Sequence, residues 1–148
     1  MTSLRPAAPS DIDRIYALER TSSQNPWTRD GIESSLSSPN SIFLVAENQE
    51  NRVVGFACSS LILDELHILE VAVDKDCRNS GLGTLLIRQS IQTAAEKGAR
   101  RAYLEVRRSN LSAIRLYEKC GFTEEAVRTG YYGDGEDAVF MENKSLLS

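Results

Sequence analysis

Apolar positions recur along the chain at two spacings, three to four residues in some stretches and two in others, and this alternation predicts the order of elements. Ile12, Ile15, Tyr16 and Leu18 stand at helical spacing, with Ser10 and Asp13 in a helix-capping pattern at their head. Pro26-Trp27-Thr28 marks a turn. Thr28 opens a short helix through Ile32 and Leu36, which Ser37-Ser38-Pro39-Asn40 ends. Ile42 to Ala46 reads as a strand, Asn48 to Asn51 as a hairpin turn, and Arg52 to Leu63 as a second strand with a bulge marked by Gly55. His67 to Val73 is apolar enough for the middle of a sheet.

A long amphipathic helix follows through Leu82, Leu85, Leu86, Ile87, Ser90, Ile91 and Ala94, closed by Lys97-Gly98. Ala102 to Val106 is the next strand. Asn110 caps a helix carrying Ala113, Ile114, Leu116 and Tyr117 that stops at Gly121. Strands around Phe122 to Arg128 and Ala138 to Met141 flank the turn Gly133-Asp134-Gly135. Two helices, a meander of strands, and then strands alternating with helices predict an α/β chain with a mixed sheet and a parallel pair at its centre. No repeat, low-complexity tract or linker interrupts the pattern, so residues 1–148 read as one domain.

Composition narrows the function classes. The net charge of −4 disfavours a duplex-binding face, so direct nucleic-acid binding is not expected. No run approaches the ~20 apolar residues of a membrane span, and Met1 to Pro6 lack the apolar core of a secretory signal. The expected compartment is the cytoplasm, with no membrane partner. Cys58, Cys77 and Cys120 form no CxxC pair, and His67 is the one histidine, so neither a disulfide framework nor a metal site is expected.

The candidate chemistry begins at Arg78-Asn79-Ser80-Gly81-Leu82-Gly83-Thr84, between the apolar strand and the long helix. Glycines allow close backbone approach, and the free N–H groups at a helix start form an anion site. Leu86 stands where the third glycine of GxGxxG would be, and no lysine completes a P-loop. Taken alone, the turn reads equally as a phosphate cradle and as a tight structural corner.

The same turn, Arg78-x-x-Gly81-x-Gly83, resembles the coenzyme A pyrophosphate loop of the GCN5-related N-acetyltransferases, and the likeness runs along most of the chain. Val71-Ala72-Val73-Asp74 is similar to that family's central strand. Leu104-Glu105-Val106-Arg107, Asn110, Leu116-Tyr117-Glu118 and Gly121-Phe122 resemble its next strand and helix. Tyr131-Tyr132-Gly133-Asp134-Gly135-Glu136-Asp137-Ala138 through Met141 resembles the branch that acetylates protein N-termini, and Pro26-Trp27-Thr28 leans to its bacterial ribosomal-protein members. The resemblance implies a seven-stranded mixed sheet, flanked by helices, whose central parallel strands splay apart around acetyl-CoA.

It also implies roles. Val71, Ala72 and Val73 would give main-chain contacts to the acyl arm. Arg78 and the N–H groups of Asn79, Ser80, Gly81, Leu82, Gly83 and Thr84 would hold the pyrophosphate. Asn110 and Tyr117 would touch the arm, with Glu105 as general base and Tyr117 as general acid. The implied acceptor is the α-amine of a protein N-terminus, in particular the N-terminal alanine of a small-subunit ribosomal protein, with the enzyme a monomer or weak oligomer. The rival readings are acetylation of a lysine side chain or a small amine, and an acyl-CoA-binding module without turnover.

Pattern alone leaves plainer readings open. Glu105 reads as an exposed strand carboxylate, Tyr117 as a core tyrosine, Asn110 as an N-cap and Trp27 as core. Two residues depart from the family pattern. Glu70 stands where the bacterial branch has asparagine, and His67 where other branches carry a catalytic glutamate; either could supplement or replace Glu105 as base. Strand alternation expects His67 and Val71 on one face and Glu70 on the other, unless a bulge intervenes.

Overall fold

A computed structural model of the chain describes residues 2–146. Seven strands, β1 (Ser3–Pro6), β2 (Ser41–Glu47), β3 (Val53–Ile62), β4 (Glu65–Val73), β5 (Arg101–Arg107), β6 (Thr123–Arg128) and β7 (Ala138–Asn143), join in one open sheet of order β1-β2-β3-β4-β5-β7-β6. Helices α1 (Ile12–Ser22), α2 (Arg29–Ser37), α3 (Leu82–Glu96) and α4 (Leu111–Lys119) flank it. All strand pairings are antiparallel except β4 with β5. The mixed α/β sheet with its central parallel pair is therefore as the sequence predicts.

Each face of the sheet has its own apolar cluster. Leu66, Ile68, Leu104 and Val106 pack with Leu82, Leu86 and Ile87 of α3, and Ala113 and Tyr117 of α4 lie against that side. Ile12, Ile15 and Leu18 of α1 and Ile32 of α2 cover Phe43, Val45, Phe56, Cys58 and Ala72 on the other. Leu85, expected on the buried face of α3, is 47% exposed. It falls between the turns that meet the sheet, and Ser90 takes a core place by donating to the Leu86 carbonyl at 2.8 Å.

Other departures have local causes. Strand β1 is absent from the pattern reading because four residues ending in proline carry no alternation signal. It is held by ladder pairing to β2 and by Arg5, which bonds both Asp11 oxygens at 2.8 and 2.9 Å and Glu47 at 3.0 Å. Ser10 does not cap α1. A 3-10 turn over Pro9–Asp11 precedes that helix, and Asp11 accepts from the Ala8 N–H at 2.8 Å. The bulge on β3 falls at Val54, the residue before Gly55, since Ala46 pairs with Gly55 and Glu47 with Val53. Gly55 itself is needed for close packing: a β-carbon there would stand 3.2 Å from the Ala72 carbonyl oxygen and 3.2 Å from a Leu86 methyl. The expected caps at Thr28 and Asn110 both form, accepting from Gly31 at 3.0 Å and Ala113 at 3.2 Å.

A second bulge determines the site. Cys58 pairs with Glu70 and Ser59 with Ile68, so Leu69 is an extra residue on β4. One added residue reverses the side-chain parity of everything after it. His67 and Glu70 consequently share the α1–α2 face, and Val71 turns to the α3–α4 face, which corrects the expectation from simple alternation.

Candidate active site

Strands β4 and β5 pair in parallel only from Glu65–Arg101 to His67–Tyr103. Beyond the bulge at Leu69 they run on without bridges, and the gap between them opens a cleft of about 570 Å³. Its walls include Glu70 and Val71 of β4, Glu105 and Arg107 of β5, and Leu116 and Tyr117 of α4. Residues Ser22 to Asn25 and Trp27, between α1 and α2, border it as well, with Asn110 and Tyr132. Because α1 and α4 belong to opposite faces, the cleft passes through the plane of the sheet between the splayed strands.

Of the residues singled out in the sequence, Val71, Glu105, Asn110 and Tyr117 thus meet in one cavity. Ala72 is buried on the α1–α2 side, and only its main chain is available to a ligand between the strands. The Arg78–Thr84 turn lies outside the cavity wall but abuts it through packing. A β-carbon on Gly83 would stand 3.2 Å from a methyl of Leu116, which lines the cleft, and 3.9 Å from a Val73 methyl.

The turn is built for exposed main-chain donors. Asn79 and Gly81 both have left-handed backbone, φ 64° and 84°, and the Ser80 hydroxyl donates to the Cys77 carbonyl. Gly81 occupies the N-cap of α3 without a side-chain cap, and the first turn carries no acidic residue. Leu85 makes the first intrahelical bond, to Gly81 at 3.0 Å. The N–H groups of Leu82, Gly83 and Thr84 precede it and have no acceptor within the helix, at the positive end of a 15-residue dipole. The Arg78 guanidinium is exposed beside them.

Two acid–base groupings face the cleft. Glu105 bonds His67 Nε2 at 2.7 Å across the last paired rung, and the His67 ring stacks on Tyr103 with centroids 4.4 Å apart. Glu70 meets the carboxyl of Glu19, which is fully buried in α1 and accepts the Trp27 N–H at 3.0 Å. Burial raises the pKa of both carboxyls. The Glu19 carboxyl adds to the rise at Glu70, and the Val71 N–H opposes it weakly. Burial also holds the Tyr117 phenol above its ordinary range, with smaller contributions from Glu70 and Tyr132.

Glu19 and Arg107 were missed in the sequence. Helical spacing offers a signal for the first, since Ile12, Ile15 and Glu19 fall on one stripe, and a carboxylate in an apolar stripe implies a partner. Arg107 stacks at 4.2 Å over the Tyr132 ring and is tied to Asp134 and Glu136, both at 2.9 Å. Those bonds fix the loop between β6 and β7 over the cleft. No local pattern marks them, because the partners lie more than 25 residues apart.

Residues 12–122 match the model of the Acetyltransferase (GNAT) family. The chain belongs to that family. It is 33% identical over 144 residues to the ribosomal protein bS18-alanine N-acetyltransferase of Escherichia coli strain K12, covering 95% of this chain and 96% of the relative. The enzyme so named from Haemophilus influenzae is 35% identical over 135 residues, 88% and 90% of the two chains. The crystal structure of the Escherichia coli S18-alanine N-acetyltransferase superposes with a TM-score of 0.90 at 30% identity, covering 100% of this chain and 96% of that one. Arabidopsis thaliana NAA60, solved in complex with acetyl-CoA, shares the fold at a TM-score of 0.88 and 19% identity, over 96% and 97% of the chains. This GNAT chain is an N-acetyltransferase. Among its described residues no group of three or more His, Cys, Asp or Glu could hold a metal ion, and no helix is long and apolar enough to cross a membrane.

Proposed function

We propose that this enzyme transfers the acetyl group of acetyl-CoA to the α-amine of a protein N-terminus, with the N-terminal alanine of ribosomal protein bS18 as its substrate. The observation that carries the reading is the cleft through the sheet, with Glu105 and Tyr117 in one cavity beside a helix start rich in free N–H groups. The relatives of known name act on that same alanine, at 33–35% identity and nearly full coverage.

The diphosphate of the cofactor would rest on the N–H groups from Asn79 to Thr84, with Arg78 as counter-charge. The pantetheine arm would run along the main chain of Val71, Ala72 and Val73, between the splayed strands and past Asn110, leaving the thioester beside Tyr117. A main-chain N–H near Val71 would face the oxygen that becomes anionic in the tetrahedral intermediate. The peptide would enter from the α1–α2 side, between Trp27 and Tyr132.

Glu105 is the base, and the His67 N–H bond orients its carboxylate. The amine nitrogen attacks the thioester carbon, Glu105 takes the amine proton, and the C–S bond breaks to release the thiolate. Tyr117 keeps its proton above the ordinary phenol range, while a thiol titrates near ~8.5. Full proton transfer from Tyr117 is therefore uphill. It stabilises the departing thiolate as a hydrogen-bond donor, and solvent completes the protonation.

Proton energetics favour an N-terminal amine. Deprotonating an α-amine of pKa ~7.8 at pH 7 costs about 1 kcal/mol, against nearly 5 kcal/mol for a lysine near ~10.4. One carboxylate with a histidine behind it suffices for the first. The enzyme would work in the cytoplasm on a protein substrate, as a monomer or weak oligomer. Short alanine-initiated peptides test the reading directly: those with a free α-amine and blocked lysines should be acetylated, and those with a blocked α-amine and free lysines should not. Reaction of the second set alone would refute it.

A further inference from the structure

Glu105, Tyr117 and the main chain meet every need of the transfer step, yet a second pair of carboxyls stands in the same cleft. Glu19 is fully buried, 0% exposed. Its Oε2 accepts the Trp27 N–H at 3.0 Å, while Oε1 is buried without a donor. The neighbour able to supply one is the carboxyl of Glu70, which lines the cleft. The ionisable groups facing Glu70 from neighbouring elements are Glu19 from α1, Cys58 from β3 and Tyr117 from α4, none of them a cation, and His67 on its own face of β4 is engaged by Glu105 at 2.7 Å. Arg107 also borders the cleft, but its Nη1 is held by Asp134 and Glu136, and its buried Nη2 has no acceptor, so it bonds neither carboxyl of the pair.

A fully buried carboxylate beside a half-buried one at the cleft wall repels it strongly unless one of the two keeps its proton. A proton carried by Glu70 and shared toward Glu19 Oε1 satisfies the orphaned oxygen. It leaves the pair with one negative charge and no protein counter-ion. A charge of that kind at the edge of a substrate cleft calls for a positive ligand group. Glu70 is next in sequence to Val71, the stretch of β4 main chain along which the proposed mechanism sets the thioester. A nitrogen held at Glu70 is therefore one residue from the reacting carbon.

We propose that Glu19 and Glu70 form the seat for the α-ammonium group of the incoming peptide, selecting a charged primary amine that gives one proton to solvent before attack and the second to Glu105 as the C–N bond forms. This rests on the α-amine reading above and names the group that recognises the acceptor. The shared proton lets the seat stand empty between turnovers with a single charge, and the ammonium neutralises it on arrival. No covalent step is added; the pair binds and positions.

The test compares two ligands by calorimetry on the CoA-bound protein, where no turnover occurs. One is an alanine-initiated peptide with a free α-amine. The other is the same peptide with a hydroxyl in place of that amine. Wild type should bind the amine peptide at least about tenfold more tightly, the scale of one charge-assisted hydrogen bond. Glu70→Gln should bring the two within about twofold while leaving CoA affinity near wild type and the protein folded by far-ultraviolet circular dichroism. Glu19→Gln, of the same volume, should act in the same direction. Undiminished preference for the amine in both variants, or equal loss of both peptides, overturns the proposal while the α-amine reading stands. Wild type that shows no amine preference and acetylates lysine side chains alone overturns both.

Discussion

Tyr117 and Glu105 share one cavity but face different demands, and substitution separates them. Tyr117 is kept in its protonated form by burial, so its hydroxyl is a hydrogen-bond donor at every physiological pH. Tyr117→Phe should lower kcat by about tenfold to a hundredfold while leaving acetyl-CoA binding within a few-fold, because it removes assistance to a leaving group that already departs readily. Glu105→Gln removes the proposed base and should cost ~10²–10⁴-fold in kcat. Steady-state and single-turnover kinetics on an alanine-initiated peptide check both. His67→Gln should fall between wild type and Glu105→Gln, since it unseats the carboxylate without removing it. Glu70 gives a stability signature. Its pKa is raised on folding, so the native state binds a proton that the unfolded chain releases above the ordinary carboxylate range. Stability from this group is complete at pH 4 and is lost as pH rises toward the raised folded-state value. The melting temperature of Glu70→Gln relative to wild type should therefore rise between pH 5 and pH 8; a constant difference would contradict the buried acid pair.

At the scale of elements, the bulge at Leu69 and the corner before α3 do most to make the site. The corner needs left-handed backbone at Gly81, φ 84°, with open space around its missing β-carbon. Gly81→Ala should cost roughly 1 kcal/mol of stability through backbone strain. It should also weaken acetyl-CoA binding several-fold by turning aside the N–H groups that follow; thermal melting and calorimetry measure the two effects. Long periodic elements were readable from the chain: α3, the caps at Thr28 and Asn110, and the apolar run of β4 all stand where the pattern puts them. The bulge was not, because Ile68, Leu69, Val71, Ala72 and Val73 are apolar at successive positions around Glu70, so no strict alternation survives to show a change of side-chain parity. That single residue decides that Glu70 shares a face with His67, so the carboxyl pair with Glu19 was hidden even though both residues were in plain view. Strand β1 escaped for another reason: four residues at a sheet edge, secured by Arg5 to Asp11 and Glu47, depend on tertiary contacts.

For the whole molecule, one open sheet with an apolar cluster on each face makes the two halves of the cleft depend on one another. Arg14 strengthens that dependence by joining α1 to the Val53 carbonyl at 2.8 Å and to Asp74 at 2.6 Å, just before the Arg78–Thr84 corner. Residues 1–148 should thus unfold as a single domain, with coincident transitions by near- and far-ultraviolet circular dichroism; two separated transitions would mean that the helical layers fold independently. The central claim is that acetyl-CoA and a peptide α-amine meet in the gap between β4 and β5. A crystal structure with CoA joined through an acetyl bridge to an alanine-initiated peptide tests it most directly. The diphosphate should lie on the N–H groups of residues 79–84, the sulfur beside Tyr117, and the alanine nitrogen between Glu70 and Glu105. A CoA moiety bound elsewhere, or a gap closed against protein with the peptide outside it, would contradict the proposed function.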